Sequence, residues 1–185
     1  MSRSLSVLAF AVVALSACEE APTATLLVYD LTPALGVVEN DGRNAGVPLS
    51  GAEEVPARPT RARGTAVVHL SDDGAALHFE LIVANITNVV QSHIHVGPAG
   101  ANGPIVAFLY GLVPPGGGHV DGVLSQGTIT AANLVGPLTG HTIDDLMAEI
   151  LAGNAYVNVH TNDGVGDPNT GPGDFPGGEV RGQIR

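Results

Sequence analysis

From Gly64 to Ile86 the chain alternates apolar and polar side chains with a period of two. Ala66, Val68 and Leu70 share one face of the first run, and Leu77, Phe79, Leu81 and Val83 share one face of the next. Successive side chains of an extended backbone point to opposite sides, so this period predicts strands. Asp72-Asp73-Gly74 supplies the turn between them, and the segment predicts a β-hairpin that leaves His69 and His78 on the more solvent-facing side. Further strands are predicted at Ser92–Val96, Ile105–Leu109, Val123–Thr130, Ala155–Thr161 and Glu179–Ile184, separated by PAGANG, VPPGGGH and an acidic glycine-rich loop over 162–175.

One helix interrupts this pattern. Thr142 can cap it, Asp144 and Asp145 suit the positive end of its dipole, Ile143, Leu146, Met147 and Ile150 form an apolar stripe, and Gly153 can end it. Many short strands and one short helix predict an all-β chain, an antiparallel sandwich or barrel, of which an antiparallel β-sandwich with Greek-key connections is the expected form. The domain is expected over 47–185, preceded by a turn-rich tether over 18–46 that carries the apolar island TLLVYDL.

The first residues, MSRSLSVLAFAVVALSAC, place Arg3 before an apolar stretch from Leu5 to Leu15 that is too short for a membrane span, which needs roughly 20 apolar residues. This predicts an export signal over 1–17. Leu15-Ser16-Ala17-Cys18 resembles the lipobox of bacterial lipoproteins, which implies cleavage before Cys18, lipidation of that residue and attachment to the membrane in the bacterial cell envelope. An ordinary secretory signal with an incidental thiol is the alternative. Cys18 is the sole cysteine, so no intramolecular disulfide forms. From Cys18 onward there are six arginines, no lysine and 18 acidic residues, a formal charge of −12. That excess of negative charge argues against nucleic acid as a partner.

Four stretches together resemble the CHRD domain, the module named after chordin: LSGAEEVP at 49–56, HIHVGPAGANGPIV at 93–106, GNAYVNVHT at 153–161 and PGGEVRGQI at 176–184. The resemblance implies an extracytoplasmic all-β domain; in chordin such domains belong to a protein that binds secreted growth factors. NDGVGDPNTGPGDF, before the last stretch, departs from the usual short connection. In VGPAGANGP, Gly97, Gly100 and Gly103 are expected to adopt backbone angles closed to other residues, and Pro98 and Pro104 to end strand pairing.

His93 and His95 are two apart on a strand, so they point the same way with Cα atoms roughly 6.6 Å apart. The same rule aligns Tyr156, Asn158 and His160 and turns Val157 and Val159 to the core. Three imidazoles from two strands suit zinc or copper(II). A hydrogen-bonded polar ladder of histidines is the alternative, and His119 and His141 are weaker candidates in loops. HIH, VNVH, an acidic loop and a closing arginine are also similar to the layout of copper/zinc superoxide dismutases. That similarity implies a superoxide-dismutase-like rather than an immunoglobulin-like sandwich, with His93, His95 and His160 as copper ligands and Arg181 attracting the anion. The bridging histidine, the zinc-ligand cluster and the disulfide of that family have no counterpart here.

Catalytic signatures are lacking: there is no G-x-S-x-G elbow, no Walker loop and no H-E-x-x-H helix. Glu53 and Glu54 are neighbours that would face opposite ways on a strand, where they are expected to help define the first one. Arg58, Arg61 and Arg63 form a local basic patch in a solvated loop suited to an anionic partner. Asp163, Asp167, Asn169 and Asp174 offer oxygen ligands but do not match an EF-hand, which favours a solvated loop over a calcium site. The expected function is a lipid-anchored, extracytoplasmic, non-catalytic binding or adhesion module with a protein partner; the rival is a copper-binding, redox-active or dismutase-like protein.

Overall fold

The computed structural model describes residues 43–185. The signal over 1–17, the lipidation site Cys18 and the tether up to residue 42 lie outside the described residues. Eight strands follow in order: β1 (Asn44–Ser50), β2 (Arg63–Leu70), β3 (Ala76–Thr87), β4 (Val89–Val96), β5 (Ile105–Gly111), β6 (His119–Thr130), β7 (Ala155–Thr161) and β8 (Val180–Ile184). The helix α1 (Ile143–Leu151) sits between β6 and β7. Among the described residues no helix is long and apolar enough to cross a membrane.

The hairpin predicted from Gly64 to Ile86 is β2 and β3, with Val68 opposite Phe79, Leu70 opposite Leu77, and Gly74 in the left-handed conformation at φ +72°. Ala66, Val68, Leu77, Leu81 and Val83 are buried, as the alternation required. Helix α1 also follows its sequence signals. Thr142 Oγ1 accepts from Asp145 N, the Asp145 carboxylate accepts from Thr142 N at 2.9 Å, and Gly153 closes the end at φ +72°. Its four-residue stripe is buried, and each such side chain removed from water contributes about 1.5–3 kcal/mol.

All strand pairs are antiparallel and all eight strands belong to one sheet, in the order β5-β4-β7-β8-β1-β2-β3-β6. The all-β antiparallel class with one short helix is therefore as expected, but the layers are not two separate sheets. The edge strands β5 and β6 approach one another, and the sheet curls into a nearly closed, barrel-like form. Alternation along a strand looks the same in both architectures, because each has one apolar inner face. What decides between them is long-range pairing: β8 lies beside β1, where Ser50 faces Arg181, and the inner face of Gly182 is so close to the Pro48 carbonyl that no side chain fits. Register shifts in β3–β6 and β4–β5 bend those strands, as bulges do.

LSGAEEVP departs from the expected strand. Its first residues end β1, Gly51–Glu53 form a single 3-10 turn, and Glu54 is buried while Glu53 faces solvent. Gly51 has no room for a Cβ against the Arg58 carbonyl oxygen and Thr60, so the chain turns sharply there.

Candidate metal centre

Strands β4 and β7 pair directly, which settles the adjacency that the sequence left open. His93 faces Asn158, His95 faces Tyr156 and Gln91 faces His160. Ile94, Val157 and Val159 point into the barrel core and are fully buried. His93, His95, Tyr156, Asn158 and His160 share the other face, yet they too are buried, with His93 at 0% and His95 and His160 at 7% exposure.

Two loops cover that face. In the first, 97–104, the Gly103 carbonyl accepts from His95 Nδ1 at 2.9 Å and the Gly103 N–H donates to the Tyr156 hydroxyl at 3.1 Å. In the second, after β7, the Pro176 carbonyl accepts from His160 Nδ1 at 2.8 Å. Both bonds fix a tautomer: with the proton on Nδ1, the lone pair of each ring sits on Nε2. Metal-binding histidines are commonly oriented in this way, by donating the other ring N–H to a backbone carbonyl.

The three rings converge. One ligating nitrogen from each lies within 4.8 Å of the other two; in a tetrahedral site with 2.0–2.1 Å bonds they would be roughly 3.3 Å apart. His93 Nδ1 and His160 Nε2 are already 3.1 Å apart, and His160 Nε2 is 2.9 Å from Asn158 Oδ1. The lone pairs of that nitrogen and that oxygen face each other, which a cation between them or a rotated amide would relieve. His93 Nε2 and His95 Nε2 are buried without a hydrogen-bond partner. A buried polar atom left unpaired costs about 1–3 kcal/mol, and such atoms in a folded protein call for an explanation. For His95, whose proton is on Nδ1, the bare Nε2 is a lone pair that a metal ion would accept, while His93 can present to an ion either Nδ1, on the side of His160, or Nε2, and not both.

Electrostatics keeps the rings in the ligating form. Burial, then the neighbouring His160 and His95, pushes His93 down to about 3. Burial also pushes His160 down to about 4, against the opposing bond to the Pro176 carbonyl. His95 is lowered as well, chiefly by burial. All three are neutral at pH 7. The Phe108 ring, opposite His93 on β5, packs edge-on against it at 4.7 Å and is 47% exposed, so it shields the imidazole from solvent.

Arg181, expected as an anion-attracting group, is 1% exposed. Its guanidinium lies 3.4 Å over the Tyr156 ring, which itself stacks on His95 at 4.7 Å and 4°. It donates to the Pro98 carbonyl at 3.2 Å and to Asn102 Oδ1 at 3.3 Å, tying down the first covering loop. Its charge reaches His95 and helps to lower it. Arg181 thus positions the site from beneath. Glu179 plays the same part for the second loop, with its buried carboxylate accepting from Thr60 Oγ1 at 2.6 Å, Thr161 Oγ1 at 2.7 Å and Gly173 N at 2.9 Å.

Other candidates lie elsewhere. His119 and His141 are surface residues paired with Asp121 and Asp145, His119 standing at the start of β6 rather than in a loop. Asp163 and Asp174 accept from their own loop, from Val165 N and from Thr170 N and Oγ1, as turn-forming carboxylates do. Of the three arginines, Arg58 is half-buried with its guanidinium over the Phe175 ring at 4.9 Å, and Arg61 and Arg63 are exposed. Of the three loop glycines, only Gly100 needs positive φ, at +79°; Gly103 is required because a Cβ would strike the Val96 carbonyl, and Gly97 is crowded by Gly103. The sequence reading missed Phe108, Pro176 and Glu179. A backbone carbonyl carries no residue-type signal, and nothing in PGGEV shows that its glutamate is buried.

A sheet-borne histidine cluster under two tethered loops is the setting in which family membership becomes informative. The chain belongs to the CHRD domain family, whose model matches residues 45–168. The match takes in three of the four stretches that suggested it and stops inside the loop after β7, before PGGEVRGQI. No curated protein and no solved structure matches the chain. Membership supports a binding-type module.

Proposed function

We propose that this protein is a non-catalytic binding module of the bacterial cell envelope, held to the membrane by a lipidated Cys18, whose centre takes one copper(II) or zinc(II) ion on His93, His95 and His160. The observation that carries the reading is the convergence of three neutral imidazoles, two of them oriented by backbone carbonyls, with ring nitrogens of His93 and His95 buried and partnerless. Imidazole ligands without a thiolate suit both ions. The ion would supply Lewis acidity and a rigid tie between β4 and β7. Burial of Arg181 and of all three rings favours holding an ion over turnover of an external anion.

The test is the metal content of untagged protein from a copper- and zinc-supplemented culture, dialysed against a weak chelator, beside the His93→Ala/His95→Ala/His160→Ala variant. Close to one ion per chain, lost in the variant, supports the centre; equal content in both proteins rejects it. For the anchor, incorporation of labelled palmitate should disappear in Cys18→Ala, and palmitate retained in that variant would reject lipidation there.

A further inference from the structure

Asn44, His69, His78 and Thr128 stand in one row across four strands: Asn44 faces His69, His69 faces His78, and His78 faces Thr128. All four are exposed, on the side of the sheet opposite Val68 and Leu77. The two imidazoles bond in opposite directions. His69 Nδ1 donates to Asn44 Oδ1 on β1, and His78 Nδ1 bonds to Thr128 Oγ1 on β6 at 2.9 Å. The rings are nearly parallel, 16° apart, with centroids separated by 6.1 Å.

With each Nδ1 bonded to a neighbour on the outer side of the row, Nε2 is the ring nitrogen that His69 and His78 each leave for a ligand on this exposed face. An amide oxygen only accepts, so His69 keeps its proton on Nδ1 and its Nε2 is bare; the Thr128 hydroxyl can accept likewise and give His78 the same tautomer. This repeats the orienting bonds of metal-binding histidines, with two side chains as the outer partners. Negative charge lies close by: Glu80 is two residues along β3 on the same face, and Asp73 is near enough to His78 for their charges to interact.

From this geometry we infer that His69 and His78 form a second, exposed site for a divalent transition-metal ion, with two Nε2 ligands and water completing the coordination. It is independent of the buried centre and exchangeable, since both imidazoles are exposed among the described residues. Two ligands instead of three, both open to solvent, make it the weaker of the two.

The test is a titration of the full untagged chain with Ni²⁺ and with Zn²⁺, read by calorimetry and by histidine side-chain NMR signals. Two classes of site are expected. His69→Ala and His78→Ala should each weaken the lower-affinity class by about tenfold or more, since each leaves a single ligand in place of a chelating pair. Asn44→Ala should weaken it by about tenfold through loss of the orienting bond. The His93/His95/His160 alanine variant should keep this class while losing the tight one. A weaker class unchanged in both single variants, or a wild-type chain with no weaker class, overturns the proposal. Absence of the tight class alone would count against the buried centre and not against this site.

Discussion

Two rows of side chains cross this sheet, and both contain histidines. In Asn44–His69–His78–Thr128 the strand register brings two imidazoles together on a face that is exposed among the described residues. In His93–Asn158–Arg181 and the adjoining His95–Tyr156–Gln183 the same kind of register brings imidazoles together beneath two loops. Strand pairing alone therefore sets which groups meet, while the loops set how strongly burial acts on them. Covered imidazoles are driven neutral, and His93 and His95 are each left with an unpaired nitrogen; the exposed ones stay open to solvent.

Removing the cover should have the largest effect. Arg181→Ala strands the Pro98 carbonyl and the Asn102 amide and empties the face of Tyr156, and it should cost about 3–5 kcal/mol in urea unfolding. A cost below about 1 kcal/mol would mean that the loops cover the site without this residue.

The pH dependence of stability is the next lever. Burial raises Glu54 to about 7, against the opposing charges of Arg181 and Arg58 and the bond to the Val55 N–H. Between its ordinary value of 4.5 and about 7 the folded state holds a proton that the unfolded state has lost, so its contribution falls as pH rises through that window. Glu54→Gln should exceed wild type by on the order of 3 kcal/mol above pH 7 and match it below pH 4.5. His93 and His160 act with the opposite sign: depressed below 6.5, they make the unfolded state the better proton binder, so stability is lost as pH falls from 6.5 toward 3–4. A Glu54→Gln gap that does not change with pH would contradict the burial of that carboxyl.

Replacing a covered imidazole sharpens the contrast. In chelator-treated protein, His93→Phe should leave stability unchanged or raise it by up to about 1 kcal/mol, because it removes a buried nitrogen without a partner, while it abolishes the tight ion. A loss of several kcal/mol in the metal-free state would make His93 a structural residue. The exposed row should respond least. His78→Ala should stay within about 0.5 kcal/mol in thermal unfolding, as exposed positions do.

Period-two patterning made β2 and β3 readable, and the capping residues with the Ile143, Leu146, Met147 and Ile150 stripe did the same for the helix, because each of these elements buries one face whose composition is set by local geometry. The same period put His93 and His95 on one face of their strand and His160 on one face of β7, while the pairing of β4 with β7 that makes those faces one came only with the structure. What remained hidden depended on distant parts of the chain. β7 is buried on both faces, and its outer residues Tyr156 and His160 bond to the two covering loops while Asn158 meets His160 on the same strand. The single curled sheet was equally beyond local pattern, since it rests on β8 joining β1. Arg181 was expected to attract an anion because of the dismutase resemblance; its burial had no local signal, since arginine is mostly exposed and the aromatic stacking and carbonyl partners that bury it here come from distant residues.

The most direct test follows the two tautomers. Side-chain nitrogen NMR of the full chain before and after one equivalent of Zn²⁺ should show Nε2 of His95 and His160 moving to metal-bound shifts, while the Nδ1 protons held by Gly103 and Pro176 persist. If those two nitrogens do not move, or if only His69 and His78 respond to the first equivalent, the buried cluster is a hydrogen-bonded ladder and not a metal centre.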